Sequence, residues 1–585
     1  MQKLLLVGGH YLALTLVVTA CWGFGRSTLQ LVLDRKTAEG DQLTTPISIA
    51  LGLGVAICPL QWLGIAGALT RVAVGTFLVA GLALALAQWI ARARAPGPAR
   101  PAISWKAHWL SLSPLSRCAL TLALLALIQT LLTPLRPPVK WDELMYHLPH
   151  AQQWAGSGRL DVTHWLRYPW FPYNFDLLYA GSLVFGSDVF PHLLHATSGW
   201  LTAWLILAAG SRYLGIARAA LATFIWFMLT RTEYDGAIND LGVTLFVFAA
   251  CVTFQQWQEK SSRGWLAISA FMLGLAVGTK YQALPLIGLF GLAVLWRTRR
   301  VADIVAASAA LAVPCAYWYV RNWIFTGDPF APIGGHIFGF SDWNAGDYKG
   351  QFEDLAQYAG FPSKLLWAAP LGLLGHWQSR QALRGALVFW EFFLGKWAAV
   401  SRSQRYLMPA YPVLALLAAS GWTELARLAK CPPDIDRHRL VRWTLRLLPI
   451  VMVVGVAGKL HRDATRIATD SSTRDAIVSK EVTGYRLLRD LSRSAPGKIY
   501  QLGLEYAIYY APHPIWGDWF GPWRYRDYLD LAPDALRTRL AQQGFEFLLV
   551  HTARFPSVAS KPGFSSDFEE VDSDGPVRLY RLKSE

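Results

Sequence analysis

Long runs of apolar residues, separated by short polar segments, dominate the first three quarters of the chain. Runs of this kind are typical of helices that cross a bilayer, since a crossing helix needs about 20 apolar residues. Some of the runs are short, so we expect one or two of them to be re-entrant or interfacial. We predict spans at 4–24, 47–69, 72–91, 118–135, 189–210, 217–231, 239–257, 264–281, 283–297, 302–320, 362–376, 383–400, 407–424 and 444–459.

The last quarter of the chain is polar and has no such run. Alternating and β-branched stretches predict strands at 499–504, 545–550 and 577–582, with helices at 470–492 and 533–543. The predicted fold class is therefore an α-helical polytopic membrane protein of about 11–14 spans with a small C-terminal α/β extramembrane domain. We divide the chain into 1–117 (extra N-terminal spans and a linker), 118–460 (a transmembrane core) and 461–585 (the α/β domain).

The composition agrees with this class of protein. Hydrophobic residues make up 53% and charged residues 16% of the chain, which excludes an ordinary soluble protein. The formal charge of +16 does not indicate nucleic-acid binding, because the Lys and Arg residues concentrate in alternate loops. The 27 Trp and 22 Tyr suit the two interfaces of a membrane. The six cysteines form no CxxC pair, so neither a disulfide framework nor a zinc site is indicated.

The basic loops also predict the orientation of the chain. The linker 91–117 carries several Arg and Lys residues and no acid, and the positive-inside rule places it in the cytoplasm. The loops 137–188 and 321–361 and the tail after about 460 then lie on the opposite side. These outer loops are rich in Trp, Tyr, Pro, Asp and His, which is typical of functional rather than merely connecting loops.

Two neighbouring carboxylates, Asp142 and Glu143, open the loop 137–188. The following residues Leu144, Leu148, Ala151 and Trp154 fall on one face of a helix, which predicts an amphipathic helix along the membrane interface. Asp142 could act chemically at the mouth of the preceding span. The alternative is that it only caps this helix, since Asp is a favoured N-cap residue.

Four further charged residues are predicted at the same side of the membrane. Each of them also has a purely structural explanation. A carboxylate at a helix start can be a cap, and a cation at a membrane boundary can contact lipid headgroups. Charges are costly inside a bilayer, so such residues are also candidates for function. They are Asp240 in Asn239-Asp240, Lys280 in Gly278-Thr279-Lys280-Tyr281, Arg321 in Arg321-Asn322 before the turn Gly327-Asp328-Pro329, and Arg405 in Arg405-Tyr406-Leu407-Met408-Pro409.

Carboxylates and fixed cations together can transfer a group from a lipid phosphate. A carboxylate takes the proton from an attacking hydroxyl, and a base whose pKa is raised by burial would suit this task. Guanidinium and ammonium groups stabilise the phosphate leaving group. Adjacent helical residues point about 100° apart, so Asp142 and Glu143 cannot both face one atom. We assign Asp142 as the base and Glu143 as a supporting or substrate-contacting group.

The aromatic residues and histidines of the loop 137–188 have alternatives as well. Tyr168, Trp170 and their aromatic neighbours could stack on a sugar or lie in the interfacial belt. His147 and His150 could bind a metal, but Pro149 lies between them and their spacing is poor for that purpose.

These motifs, in this order between about residues 120 and 424, resemble the polytopic glycosyltransferases of the GT-C superfamily. The likeness is to its bacterial protein O-mannosyltransferase and aminoarabinose-transferase branch. It covers Asp142-Glu143, Tyr168-Pro169 with Pro172, Asn239-Asp240, and the Lys280, Arg321 and Arg405-Tyr406 motifs quoted above. Each motif is weak alone, and the ordered set is fairly specific.

The resemblance implies a membrane enzyme that transfers a sugar, with inversion, from a polyprenyl-phosphate donor to a lipid, glycan or protein acceptor. It implies that Asp142 is the catalytic base and that Asp240, Lys280, Arg321, Arg405, Tyr406 and Tyr168 contact substrate or phosphate. It also implies a bacterial inner-membrane location with the active site and the C-terminal domain on the periplasmic side. No cofactor is expected, and a divalent metal stays an option.

The chain departs from that pattern in two respects. Three apolar segments, 4–24, 47–69 and 72–91, precede the span that matches the family's first. Asp142-Glu143 continues as Leu-Met-Tyr-His-Leu-Pro and not as in aminoarabinose transferases, which leaves the sugar and the acceptor open. Two other functions are considered. One is a transporter or flippase of a lipid-linked substrate, and the other is a non-catalytic membrane assembly protein.

Overall fold

The computed structural model describes residues 1–33, 42–94, 105–357, 360–399, 402–428 and 435–584. Arg100 and Lys430, which contribute to the predicted basic loops, lie outside the described residues.

Long helices fill the described part of the chain up to residue 465. Seven of them are apolar and long enough to cross a membrane, so the chain is a multi-pass membrane protein. The helices are Gln2–Val32, Thr44–Ile65, Arg71–Arg94, Trp105–Ser111, Pro114–Ile128, Leu148–Ser157, Asn174–Leu183, Phe190–Leu214, Ile216–Thr230, Asp240–Lys260, Arg263–Val277, Pro285–Arg297, Val301–Thr326, Gly335–Phe338, Ala345–Ala356, Arg380–Ala399, Gln404–Leu407, Tyr411–Leu428 and Ile435–Thr465.

Two of the predicted spans differ from the helices of the structure in their type or their length. The segment predicted at 362–376 is two short 3₁₀ helices, Lys364–Leu366 and Pro370–Leu374, as expected for one or two of the short segments. Pro370 lacks the backbone donor that a continuing α-helix needs. The span predicted at 302–320 is longer, since its helix continues to Thr326. Arg321 therefore lies within this helix and not after it.

The C-terminal residues form the predicted small α/β domain. Its helices are Ser471–Glu481, Tyr485–Ser494, Pro533–Gln542, Pro556–Ala559 and Phe564–Asp567, and its strands are β1 (Ile499–Leu502), β2 (Ile515–Trp516), β3 (Phe547–His551), β4 (Phe568–Asp574) and β5 (Val577–Leu582). The sheet order is β2-β1-β3-β5-β4. β1 pairs in parallel with β2 and β3, whereas β5 pairs antiparallel with β3 and β4. The short β2 and the polar β4 were not predicted.

The amphipathic helix predicted after Asp142 is confirmed. A turn of π-helix, Glu143–His147, leads into Leu148–Ser157. The predicted apolar face is buried, since Leu144, Leu148 and Ala151 have 0% exposure.

Glu143 holds this segment against its neighbours from inside. Its carboxylate accepts hydrogen bonds from the backbone amides of Val139 (2.7 Å) and Lys140 (2.6 Å) through Oε1. Through Oε2 it contacts the backbone amide of Ala237 (2.6 Å) and Nε2 of His192 (2.8 Å). The side chain is completely buried. Glu143 therefore joins the start of the loop 137–188 to two other parts of the bundle.

The sheet domain sits on the end of the bundle that carries the loops 137–188 and 321–361. The hydroxyl of Tyr510 donates to the carbonyl of Pro138 at 2.5 Å, and Trp141 stacks on Tyr506 with ring centres 4.7 Å apart. Arg167 pairs with Asp518, with Nε and Nη2 at 2.8 and 2.5 Å from Oδ1. Both partners of this pair are buried. We call this the domain-bearing end of the bundle.

We predict that Glu143→Gln destabilises the folded protein. The amide cannot accept all of the hydrogen bonds that the carboxylate accepts, and it leaves buried donors without partners. The expected loss in the free energy of unfolding is about 3 kcal/mol. Thermal unfolding of the detergent-solubilised protein measures it. The control is Glu353→Gln at an exposed position, whose one ion pair among the described residues is with Lys349 at 4.0 Å. This change should leave the melting temperature unchanged. Equal melting temperatures for both variants would show that the Glu143 contacts are not structural.

Candidate functional site

One arginine joins two acidic residues at the domain-bearing end. Arg405 places Nη1 2.6 Å from Oδ2 of Asp142 and Nη2 2.8 Å from Oδ2 of Asp240. The other oxygen of Asp240 accepts from Nζ of Lys280 at 2.8 Å. These residues are far apart in the sequence, and here they form a continuous ionic chain that we call the Arg405 network.

The network excludes the cap alternatives for both carboxylates. Asp142 is the N-cap residue of the π-helical turn, yet its side chain makes no capping hydrogen bond. The helix Asp240–Lys260 has Asn239 at its N-cap, also without a side-chain cap. Both carboxylates point to Arg405 instead.

Exposure differs along the Arg405 network. Asp240 is fully buried, whereas Asp142 is 23% and Arg405 36% exposed. Asp142 is therefore the carboxylate that a bound molecule can reach. Asp240 is placed to orient the two cations.

Burial and Arg405 act in opposite directions on Asp142. Burial raises the pKa of the Asp142 carboxyl, but the charge and hydrogen bond of Arg405 outweigh it, and the pKa lies below its usual range. The net direction is thus opposite to the one that the sequence suggested for a base. In this state Asp142 is ionised and held by its partner.

Close packing of the backbone sets the position of Lys280. The amide of Asn174 donates to the carbonyl of Gly278 at 2.8 Å. A Cβ atom on Gly278 would lie 2.2 Å from Nδ2 of Asn174, so only glycine fits here. This contact fixes the end of the helix Arg263–Val277, and Lys280 follows directly.

The short helix Gln404–Leu407 presents Arg405 and Tyr406 to the same region. The hydroxyl of Tyr411 donates to the carbonyl of Gln404 at 2.9 Å and holds that turn. Nζ of Lys280 lies 5.6 Å from the ring centre of Tyr406, a cation–π distance. Tyr406 therefore lies beside the Arg405 network, and its role in binding stays a prediction.

Tyr168 lies at the rim of the region. Its ring stacks on Phe171 at 4.2 Å and meets Tyr146 edge-on at 5.3 Å, and its hydroxyl donates to Gln351 at 2.8 Å. Its backbone has φ 56°, a conformation that is rare outside glycine. The fold holds Tyr168 in place against this strain, while its role in binding stays a prediction.

Two of the charged residues predicted for the site, Glu143 and Arg321, are not part of the Arg405 network. Both carboxylate oxygens of Glu143 accept the hydrogen bonds described above. These contacts agree with a supporting role and leave no oxygen of Glu143 free to contact a substrate. Arg321 forms no ion pair with any described residue. It donates to Oδ1 of Asn322 from Nη2 at 2.9 Å and lies 5.0 Å from the ring centre of Trp318. The catalytic and binding roles predicted for the site residues stay predictions.

Sequence analysis missed two groups beside the Arg405 network. Nζ of Lys396, from the helix Arg380–Ala399, donates to the carbonyl of Gln282, two residues after Lys280. His147 and Asp176 form a buried pair, Nδ1 to Oδ1, at 2.5 Å. A lone lysine late in a predicted span could have signalled the first. The second depends on a contact between distant segments that no local pattern reveals.

The structure offers no group of three or more His, Cys, Asp or Glu side chains suited to a metal within the described ranges. His147 is paired with Asp176, and Nε2 of His150 contacts the carbonyl of Arg167 at 2.9 Å. The two histidines are thus used separately. The expectation that the chemistry needs no metal stays a prediction.

Comparison with known sequences finds relatives that have no described activity. A sequence model of the family described as SF2091/S2213 matches residues 473–581. The uncharacterized protein SF2092/S2214 of Shigella flexneri is 31% identical over 159 residues, which are 25% of this chain and 85% of that protein. The uncharacterized protein SF2093/S2215 of Shigella flexneri is 40% identical over 82 residues, 14% of this chain and 41% of that protein.

Comparison with solved structures finds similar chains at low sequence identity. ArnT from Cupriavidus metallidurans, bound to undecaprenyl phosphate, has 15% sequence identity and a TM-score of 0.46, over 82% of this chain and 98% of that chain. The oligosaccharyltransferase AglB from Archaeoglobus fulgidus, in complex with an inhibitory peptide and a dolichol-phosphate, has 10% identity and a TM-score of 0.43, over 77% of this chain and 70% of that chain.

We predict energetic coupling between Arg405 and Asp240. Arg405→Gln and Asp240→Asn should each lower the melting temperature. The double variant should lose less than the sum, with a coupling energy of at least about 1 kcal/mol. A double-mutant cycle in detergent measures it. In the control cycle Arg402→Gln, at an exposed position, replaces Arg405→Gln and should show no coupling to Asp240→Asn. Additive losses in the first cycle would contradict the contact.

We also predict a pH dependence that arises from Asp142. Its pKa is lowered in the folded state, so the Asp142–Arg405 pair contributes its full stability above the unfolded carboxyl pKa of about 3.9 and loses it as the pH falls through the folded value. Arg405→Gln removes the strongest influence that lowers the pKa of Asp142, so that burial, which raises this pKa, is opposed only by the charges of His147 and Lys280. The gap in melting temperature between wild type and variant should therefore be constant above about pH 6 and shrink toward pH 3. A gap that widens on acidification would contradict this direction.

Proposed function

The chain belongs to the same family as the uncharacterized protein SF2092/S2214 of Shigella flexneri, and we propose that it is a membrane glycosyltransferase of the GT-C kind. It transfers a sugar from a polyprenyl-phosphate donor to a hydroxyl group of an envelope lipid, glycan or protein, with inversion. The site is on the periplasmic face of the bacterial inner membrane, in keeping with the basic loops on the opposite side of the bundle.

The observation that supports this proposal most is the Arg405 network. It puts a partly exposed carboxylate, Asp142, next to a guanidinium and an ammonium group at the end of a transmembrane bundle. A lipid-borne phosphate reaches such a position from the bilayer while its sugar lies in the aqueous phase. Cations fixed at this level can hold the phosphate before and after the bond breaks.

The reaction follows from these placements. Asp142 accepts the proton of the acceptor hydroxyl as its oxygen attacks the anomeric carbon from the face opposite the phosphate. The bond from the anomeric carbon to the phosphate oxygen breaks, and its electron pair stays on the phosphate. Arg405 and Lys280 stabilise the negative charge that develops there. A lipid monophosphate leaves with modest charge, so these cations suffice in the proposal.

Arg405 also links donor binding to the strength of the base. Its Nε is buried and has no hydrogen-bond partner among the described residues, and Lys280 uses only part of its donor capacity. When a phosphate takes up the guanidinium, the pull of Arg405 on Asp142 weakens. Burial then raises the pKa of Asp142 toward that of an effective base. In this proposal Arg405 keeps the base inactive until a donor phosphate binds.

We predict that Asp142→Asn greatly slows sugar transfer and leaves donor binding unchanged. The amide keeps the size of the side chain and cannot accept a proton, so the transfer rate should fall about 10²- to 10⁴-fold. Transfer of radiolabelled sugar from polyprenyl-phosphate donors to envelope extracts measures it, with donor binding and melting temperature measured in parallel. Asp530→Asn, an exposed change of the same kind in the C-terminal domain, should behave as wild type.

Two results would contradict the proposal. Wild-type transfer by Asp142→Asn would remove the carboxylate base. Movement of an intact lipid-linked sugar across proteoliposomes by the wild type, without any transfer product, would identify a flippase instead.

A further inference from the structure

A cavity of about 730 Å³ lies at the domain-bearing end, apart from the Arg405 network. It is bounded by the end of the helix Thr44–Ile65, by residues 159–164 and 340–342, by the last turns of Val301–Thr326, and by Trp523 of the C-terminal domain. Its volume lies within the range of about 300–1,000 Å³ that small-molecule sites occupy. Because several distant segments build it, the folded protein and not a single loop shapes this space.

Arg321 brings an uncompensated charge to the wall of this cavity. Its residue is only 5% exposed, and it has no acidic partner among the residues that the structure describes. The ring centres of Trp170 and Trp318 lie 5.6 and 5.0 Å from its guanidinium carbon. These cation–π contacts lower the free-energy cost of burying the charge. A buried cation without an anion is costly, so an anionic group on a ligand in the cavity would lower the free energy of the site.

Trp170 is a second residue at this wall with an unsatisfied polar group. This residue lines the cavity and is 5% exposed, and its Nε1 donor is buried without a partner among the described residues. Buried polar groups in folded proteins almost always have partners. The wall of the cavity therefore holds a cation without an anion and a donor without an acceptor among the described residues.

The remaining lining favours a sugar over a plain anion. Tyr317, Trp170 and Trp523 offer aromatic surface, and Asp161 and Asp342 offer carboxylate acceptors for hydroxyl groups. Aromatic faces with polar groups between them bind the apolar faces and the hydroxyls of saccharides. A small inorganic anion would contact Arg321 and would leave most of this aromatic and acidic surface without a contact.

A short chain of hydrogen bonds leads from Arg321 to the residue that follows Lys280. Arg321 donates to Asn322, and Nδ2 of Asn322 donates to the hydroxyl of Tyr281 at 3.1 Å. Tyr281 directly follows Lys280 in the chain. The wall of the cavity is therefore linked to the segment that carries Lys280.

We infer that the Arg321 cavity is a second ligand site and that it binds an acidic saccharide, a sugar that carries a phosphate or carboxylate group. We assign this saccharide as the acceptor of the transfer, and that assignment rests on the proposed function. The binding site itself does not, because its charge, its unpartnered indole donor and its aromatic lining exist whatever the reaction. Soluble and lipid-linked forms of such a sugar share the chemistry that Arg321 recognises.

Calorimetric titration of the full-length protein in zwitterionic lipid nanodiscs tests this inference. The probes are glucose 1-phosphate, glucuronate and uncharged glucose. We expect both acids to bind and glucose to bind at least about tenfold more weakly. Arg321→Gln should reduce binding of the acids about 10- to 100-fold, and Arg321→Lys should restore part of it. Arg299→Gln, an exposed change of the same charge, should have no effect.

A cavity-filling variant and a catalytic variant keep the test decisive. Ser341→Trp, at an exposed position of the lining, should block binding even if Arg321→Gln does not fold. Binding to Arg321 variants thus reports on the cavity, while transfer by Asp142 variants reports on the proposed function, and each can fail alone.

Three outcomes would overturn the inference. One is equal binding of acidic and neutral sugars. Another is unchanged binding of the acids by Arg321→Gln, or by Ser341→Trp where Arg321→Gln does not fold. The third is displacement of glucose 1-phosphate by nanodiscs made with phosphatidylglycerol, which would show that the site reads any lipid phosphate and not a sugar.

Discussion

The ion pairs that Arg405 makes with two carboxylates hold the functional end of this protein together. Asp142 follows the helix Pro114–Ile128, Asp240 begins Asp240–Lys260, and Arg405 precedes Tyr411–Leu428. Only a bundle whose helices alternate in direction brings these ends to one place. Each charge alone would be costly at the edge of a membrane bundle, and together they neutralise one another. The network therefore makes the fold compatible with a charged site.

Other contacts fix the positions of the segments that carry the Arg405 network. Glu143 anchors the segment that carries Asp142 through backbone amides and His192, and the close approach of Gly278 to Asn174 fixes the segment that carries Lys280. The C-terminal domain covers the same end and joins it through Tyr510, Trp141 and the buried pair of Arg167 with Asp518. A rigid frame of this kind is what positioned electrostatic groups require, since small displacements weaken their action.

The sequence predicted much of this arrangement because helix ends and loop charges follow local rules. Apolar runs gave the helices, the buried face after Asp142 followed from its period, and alternation of the ends placed Asp142, Asp240, Lys280 and Arg405 on one side. The sequence could not predict which way a side chain points from its helix. Glu143 turns into the bundle, and Arg321 lies inside a helix that continues to Thr326, so it faces a separate cavity. Those outcomes depend on rotation about the helix axis and on distant partners, which a single sequence does not contain.

We propose that a lipid-borne phosphate binds at the Arg405 network. An experimental structure of the protein in nanodiscs with undecaprenyl phosphate bound tests this. We expect phosphate density within hydrogen-bond distance of Arg405 and Lys280, with the Asp142 carboxylate released toward the open side of the site. Phosphate density elsewhere on the protein, with Arg405 still joining Asp142 to Asp240, would contradict it.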